Sequence, residues 1–168
     1  LLGWNRTGIV FVILSFLLHS ALLGIRIFIL QRPPVSNMFE TVIYVPWICV
    51  LASLFFTILF KDRIALIASC GASVLLLAVL KLADLNPSLE NVQAVLDSQY
   101  WLIIHVLMIV GSYGVFILCA ALGHIYLAGY MLKKMESPYL ASTAKCILHS
   151  MYLGTALLIP GTILGGVW

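Results

Sequence analysis

Long apolar runs, separated by short polar breaks, make up most of this sequence. Five of these runs come close to or exceed the roughly 20 residues that a helix needs to cross a bilayer. They cover residues 8–30, 41–60, 64–82, 101–132 and 146–168. The breaks are rich in proline, asparagine and charged residues, which are typical of turns. The pattern predicts an all-α fold, a polytopic transmembrane helical bundle of about five spans, in a single membrane domain over residues 1–168.

The composition excludes several classes of function. Apolar residues make up 63% of the chain and charged residues 9%, and the mean hydropathy is +1.14. These values lie far outside the range of soluble globular proteins, so a soluble enzyme is excluded and the lipid bilayer is the expected surrounding. The net charge of +3 is too small to indicate a nucleic-acid partner. The four cysteines are far apart and form neither a zinc motif nor a motif for covalent haem attachment.

The distribution of lysine and arginine predicts the orientation. Six of the nine lie near the N-terminus, between the second and third spans, or between the fourth and fifth spans. Such an excess marks the cytoplasmic side. We therefore expect a cytoplasmic N-terminus in a multi-pass protein of the cell inner (cytoplasmic) membrane, with residues 31–40 and 84–100 on the outer side. Trp47, Trp101 and Trp168 then fall at outer helix ends, where an aromatic belt would account for them.

Two segments carry local structural signals. In the third connection, Asn86 can cap a short helix with Pro87 at its first position, which predicts a helix on the membrane surface. In the fifth span, Gly161 and Gly165 form a G-x-x-x-G pattern that predicts close helix packing. Pro160 predicts a local bend beside it, and a functional hinge is the alternative interpretation.

Ionisable residues are costly inside a membrane, so the four histidines are the first candidates for function. His19 lies near the middle of the first span, and His105 lies about 6 Å inside the outer end of the fourth. His124 and His149 fall at cytoplasmic ends and are expected to be interfacial. A proton relay would need carboxylates as well, but the predicted spans contain no central Asp or Glu.

Haem ligation is the other use of an imidazole that suits a membrane, and His105 fits it best. A porphyrin needs aromatic and apolar cover, and the residues expected around His105 are Trp101, Met108, Ser112 and Tyr113, with Tyr100 nearby. A structural hydrogen bond from an interfacial His105 to a backbone carbonyl explains the residue as well, and both interpretations stay open at this point. For His19 we expect a structural hydrogen bond, with haem ligation as the alternative.

Two segments resemble motifs of a known family. Residues 33–40 (PPVSNMFE) are similar to the P-[VL]-[ST]-N-[ML]-[YF]-[ES] loop of the cytochrome c assembly protein family, of the CcsA (ResC) type found in cytochrome c maturation system II. Residues 95–106 (VLDSQYWLIIHV) are similar to that family's L-[QD]-S-x-[YFW]-W-L-x-[IM]-H-V motif. Residues 17–20 with Arg26, and residues 161–168, also resemble family counterparts, so the resemblance extends over nearly the whole chain.

The resemblance implies a function, a cofactor and partners. Members of the family accept haem, here haem b as a transported substrate, and present it at the outer membrane face. They promote its covalent attachment to apocytochrome c together with a membrane subunit of the CcsB (ResB) type. His105 matches the first of two external histidines that hold the haem iron, and Trp101 belongs to the same motif. The resemblance thus makes His105 the expected iron ligand and Trp101 part of the haem-binding surface, and it assigns no catalytic residue.

The family's tryptophan-rich W-G-x-x-W-x-W-D loop and its second external histidine are absent from residues 1–168. In the family that loop follows shortly after a G-x-x-W like residues 165–168, so we expect this chain to be the N-terminal portion of a longer protein. The full-length protein is expected to be part of a cytochrome c synthetase, and this portion alone is expected to be inactive.

Two other functions remain as alternatives. A cofactor-free transporter or permease module would use the tryptophans only as a belt and the histidines only for structure. A b-type electron-transfer subunit would need histidine pairs that face each other across a haem, which His105 and His124 cannot do because they share one helix. A visible spectrum of the full-length protein would discriminate between these functions.

Overall fold

The computed structural model describes the backbone of residues 2–31, 33–61, 63–83, 99–132 and 137–167, and the side chains of residues 7–31, 33–61, 63–83, 103–132 and 138–167. The described residues form five α-helices and no strand. In chain order they are α1 (Leu2–Leu30), α2 (Met38–Phe60), α3 (Ile64–Leu82), α4 (Gln99–Met131) and α5 (Ser137–Val167). Each contains a stretch long and apolar enough to cross a membrane. The prediction of a polytopic helical bundle with five spans is confirmed.

The helices differ from the predicted spans mainly at their starts. α1 begins at Leu2 rather than near residue 8, and α5 begins at Ser137 rather than near residue 146. Residues 137–145 are too polar to extend an apolar run, but they place a proline in the first turn and good helix formers after it. The surface helix predicted around Asn86 and Pro87 lies outside the described residues.

The central core joins four of the five helices. α2 is the most buried helix and α1 the least, while α4 and α5 form the most extensive pair. Small side chains recur in this core, which lets the helix backbones approach closely, as is usual between membrane helices. Its buried members are Cys49, Ala52, Phe56, Ala65, Ala68, Val115, Leu118, Leu122 and Cys146.

α1 packs mainly on α2, through aromatic contacts around Trp47. The Trp47 indole stacks on Phe16 with ring centroids 5.5 Å apart and on Tyr44 at 5.9 Å. Its N–H donates to the Ser20 hydroxyl at 2.8 Å. Because Trp47 lies nine residues after the start of α2 and is bonded to α1, helix packing accounts for it without an aromatic belt.

A histidine that contacts another helix lies toward each end of the bundle, and we name the two ends after these histidines. The ends of α1, α3 and α5 meet the starts of α2 and α4 at what we call the His105 end. An apolar cluster there joins the segment between α1 and α2, which we call the first connection, to α2, α3 and α4. At the opposite end, the His149 end, the His149 imidazole lies edge-on to Phe60, with ring centroids 4.9 Å apart.

Candidate functional site

His105 is bonded across helices at the His105 end. Its Nδ1 lies 2.6 Å from the carbonyl oxygen of Gly161 in α5. A carbonyl oxygen can only accept, so Nδ1 carries a proton, and in the neutral imidazole Nε2 then keeps its lone pair. Metal-binding histidines are commonly oriented by this type of bond, which fixes the tautomer and makes the other nitrogen a better ligand.

Gly165 makes this bond possible. A Cβ at this position would contact the His105 ring, 2.6 Å from Nδ1 and 2.8 Å from Nε2. In a helix the Cα–Cβ bond tilts toward the N-terminus, so a side chain at residue 165 would also cover the Gly161 carbonyl. Glycine at 165 therefore both leaves space for the imidazole and uncovers its acceptor.

Two further glycines continue this close contact along α5, and with Gly165 we call them the glycine seam (Gly154, Gly161 and Gly165). A Cβ at Gly161 would lie 3.0 Å from Ile109 Cγ1 and 3.1 Å from Met108 Cβ, and one at Gly154 would lie 2.6 Å from a Phe116 ring carbon. The predicted close packing at Gly161 and Gly165 is thus confirmed, although the sequence did not identify His105 as its partner. α5 runs through Pro160 as one helix.

The residues expected around His105 differ in their burial and in their contacts. Met108 contacts the glycine seam at Gly161, and Tyr113, eight residues along α4, is exposed. Ser112 is buried and its hydroxyl donates to the Ile109 carbonyl at 2.6 Å. Trp101 belongs to the first turn of α4, and its side chain lies outside the described part of the structure.

A network of polar contacts holds the first connection, where the family motif of residues 33–40 begins. The Glu40 side chain is only 1% exposed, and its Oε1 lies 3.3 Å from Nη2 of Arg26 in α1. Its Oε2 accepts the Ser36 N–H at 2.9 Å. Asn37 caps α2 by accepting the Glu40 N–H at 2.8 Å, and the Arg26 guanidinium lies over the Phe39 ring at 5.1 Å. One carboxylate thus links α1, the connection and α2.

The sequence contained signals for this network that our predictions did not use. Asn37 and Glu40 have the N-x-x-E spacing of a capping box. Arg26 is a charged residue inside an apolar run, which predicts a buried partner. What the sequence could not show is that the partner is Glu40, because the two residues are 14 positions apart and lie on different helices, and no local pattern specifies such a pairing.

The two motif segments meet at α4. Val35 of the first connection shares a buried apolar cluster with Val45 of α2 and Val110 of α4. Val106 and Leu107, the two residues after His105, pack against that cluster. The start of α4 is thus held on one face by the glycine seam and on another by the first connection.

The other three histidines lie close to backbone groups. The His19 imidazole is within reach of the Ile43 backbone in α2, and its role as a structural hydrogen-bonding residue stays a prediction. It borders a mainly apolar cleft of about 300 Å³ between α1, α2 and α3. His124 and His149 each bond a carbonyl of their own helix, those of Ala120 and Lys145. Within the described residues, His, Cys, Asp and Glu side chains form no group of three or more that could hold a metal ion.

Comparisons with known proteins connect this arrangement to one family. The model of the cytochrome C assembly protein family matches residues 35–168. The protein NrfI of Wolinella succinogenes is 32% identical over 173 aligned residues, which include all of this chain and 18% of NrfI. The cytochrome c biogenesis protein CcsA of Cyanidium caldarium is 31% identical over 97 residues, covering 55% of this chain and 31% of that protein. No solved structure matches the chain significantly.

The chain spans less than a third of the length of either relative. The family match, by contrast, covers well over half of the chain and includes both α4 and the glycine seam. It also begins at Val35, inside the first connection, so it includes most of the residues that pack against α4. The chain belongs to the cytochrome c assembly protein family.

Proposed function

We propose that this chain is part of a membrane protein that handles haem at the outer membrane face and delivers it for covalent attachment to apocytochrome c. Family membership supports a role in cytochrome c biogenesis. The Cyanidium relative is a cytochrome c biogenesis protein. The role of this chain in that process is haem binding through His105.

The observation that carries the proposal is the bond from His105 Nδ1 to the Gly161 carbonyl. It orients the ring between two helices and leaves the Nε2 lone pair for iron, as a haem ligand requires. Glycine at 161 and 165 keeps α5 close to the ring. An imidazole held in this way fits an iron ligand whose position is fixed before haem arrives, because both its tautomer and its direction are already set.

The remaining parts of the site belong to the longer protein. The His105 end faces the outer side of the inner membrane, according to the excess of basic residues toward the other end. A second ligand for the iron would come from a residue outside residues 1–168 or from the histidine of the cytochrome substrate. A CcsB-type membrane subunit is the expected partner in attachment.

The test compares two histidines of α4 in the full-length protein, purified with its partner subunit. His105→Gly should remove the low-spin haem spectrum and cytochrome c assembly, and added imidazole should restore both by occupying the vacated iron position. His124→Gly is the matched control, since it also removes an imidazole from α4, but one bonded within its own helix. It should leave the spectrum unchanged.

Three outcomes would contradict the proposal. Full assembly in His105→Gly without imidazole would remove the ligand role. A wild-type protein that binds no haem would favour the cofactor-free permease instead. Loss of assembly that imidazole fails to restore would assign His105 a structural role.

A further inference from the structure

We propose that the Arg26–Glu40 ion pair is a positioning device for His105, acting through the first connection and without contact to haem. The inference rests on the proposed function. It assigns to Arg26 and Glu40 the task of holding the start of α4 in the position where the imidazole can meet iron.

The two charged side chains of the pair are largely buried. Glu40 is 1% and Arg26 13% exposed, so both charges are largely removed from solvent and depend on each other. The carboxylate is also the acceptor for the Ser36 backbone N–H. Loss of either charge therefore affects the conformation of residues 33–40 as well as the contact between α1 and α2.

The first connection joins the pair to α4. Val35 lies next to Ser36 in the sequence and belongs to the buried cluster that includes Val110. Val106 and Leu107 of α4 pack against the same cluster. Because residues 106 and 107 directly follow His105, a shift of the first connection changes the support behind the helix turn that carries the imidazole.

The site demands a precise position of the imidazole. The imidazole is held on its other side by one bond to Gly161 and by contact with Gly165. That side leaves no room for a displaced ring, because a Cβ at Gly165 would already overlap it. Displacements of about 1 Å are enough to impair a ligand or catalytic geometry.

The experiment uses the full-length protein with its partner subunit in nanodiscs, carrying Glu40→Gln, Arg26→Gln or the milder Arg26→Lys. Two quantities are measured: the low-spin haem fraction, and amide hydrogen exchange in peptides covering residues 103–110. The matched control is Ser69→Ala, which breaks another buried polar pair, since the Ser69 and Ser53 hydroxyls lie 2.8 Å apart between α2 and α3.

We expect Glu40→Gln and Arg26→Gln to accelerate exchange over residues 103–110 by about tenfold and to lower the low-spin haem fraction. Arg26→Lys keeps the charge and should have a smaller effect on both quantities. If the two neutral variants fail to fold, Arg26→Lys still tests the inference. Ser69→Ala should change neither exchange over residues 103–110 nor the haem spectrum.

Unchanged exchange over residues 103–110 in all the variants of the pair would overturn the inference. Faster exchange with an unaltered haem spectrum would also overturn it, because the pair would then support α4 without positioning the ligand. Failure of the proposed function has a different signature, since the wild-type protein would then bind no haem or the low-spin spectrum would remain intact in His105→Gly.

Discussion

His105 and His124 lie on the same helix, and both use Nδ1 to bond a backbone carbonyl at nearly the same distance, 2.6 and 2.7 Å. The acceptor differs. His105 bonds Gly161 in α5, whereas His124 bonds Ala120 one turn earlier in its own helix. A bond within one helix satisfies a polar atom and moves with that helix, whereas a bond between helices fixes the ring relative to a second backbone. The acceptor therefore distinguishes His105, whose ring is held against a second helix, from His124, whose ring is not.

The contrast arises from the surroundings of each ring. The His105 ring contacts α5 at a glycine, and a Cβ at that position would overlap it. Near the other histidine, Gly123 has open space where its Cβ would be. The first glycine is needed for a close approach of helix and side chain, and the second is not.

The largest contrast we expect is all-or-none and concerns the two ends of the bundle. If the His105 end faces outward, a cysteine replacing exposed Met38 should react with an impermeant thiol reagent in intact cells, because it lies on the outer side. A cysteine replacing exposed Tyr139, near the start of α5, should be protected. Labelling of Tyr139→Cys with protection of Met38→Cys would invert the orientation.

The next largest effect is expected at the glycine seam. Gly165→Ala should displace the His105 ring, break its bond to Gly161 and remove most of the low-spin haem spectrum from the full-length protein. Loss of one hydrogen bond costs about 1 kcal/mol and overpacking about 1–3 kcal/mol, so the haem spectrum is compared at equal amounts of folded protein. Gly123→Ala is the control, and equal spectra in both variants would disconnect the seam from haem binding.

A smaller effect is expected where α4 meets α2. A Cβ at Gly114 would lie 2.8 Å from the Val45 carbonyl oxygen and from Ile48, while one at Gly111 would lie 3.8 Å from the Tyr44 hydroxyl. Gly114→Ala should therefore destabilise the protein by about 1–3 kcal/mol through overpacking, and Gly111→Ala should be nearly neutral. Thermal unfolding in detergent measures the difference, and similar midpoints would contradict the packing given for α2 and α4.

The smallest effect is expected from His124→Gln. Substitutions of exposed residues outside specific contacts usually change stability by no more than about 0.5 kcal/mol, and the bond of His124 lies within its own helix. We expect an unchanged unfolding midpoint and normal cytochrome c assembly. A loss of assembly here would show that the acceptor does not distinguish the two histidines.

The helices could be predicted from the sequence because their cause is local. A run of about 20 apolar residues has to satisfy its backbone hydrogen bonds internally when it is placed in lipid, and this requirement defined the ends of α2 and α3 to within a few residues. The start of α5 at Ser137 was missed because hydropathy detects the apolar part of a helix, which can lie in lipid. It does not detect the continuation of the helix beyond the apolar run.

The site could be predicted only in part. The G-x-x-x-G pattern indicated that something approaches α5 closely, and the motif around residue 105 indicated a histidine of interest. Their contact joins residues 56 positions apart, and no local pattern specifies such a pairing. The same applies to Val35 and Val110, which meet only because the first connection folds back onto α4.

The glycine seam also restricts how the length of this chain can vary. A single residue inserted between Gly154 and Gly161 would rotate everything after it by about 100° around the helix axis. Gly161 and Gly165 would then turn away from α4, and another carbonyl, covered by a side chain, would face His105. A seven-residue insertion would restore nearly the same face about 10 Å further along, beyond the reach of an imidazole. The α5 segment from Gly154 to Gly165 should therefore keep a constant length among functional homologues.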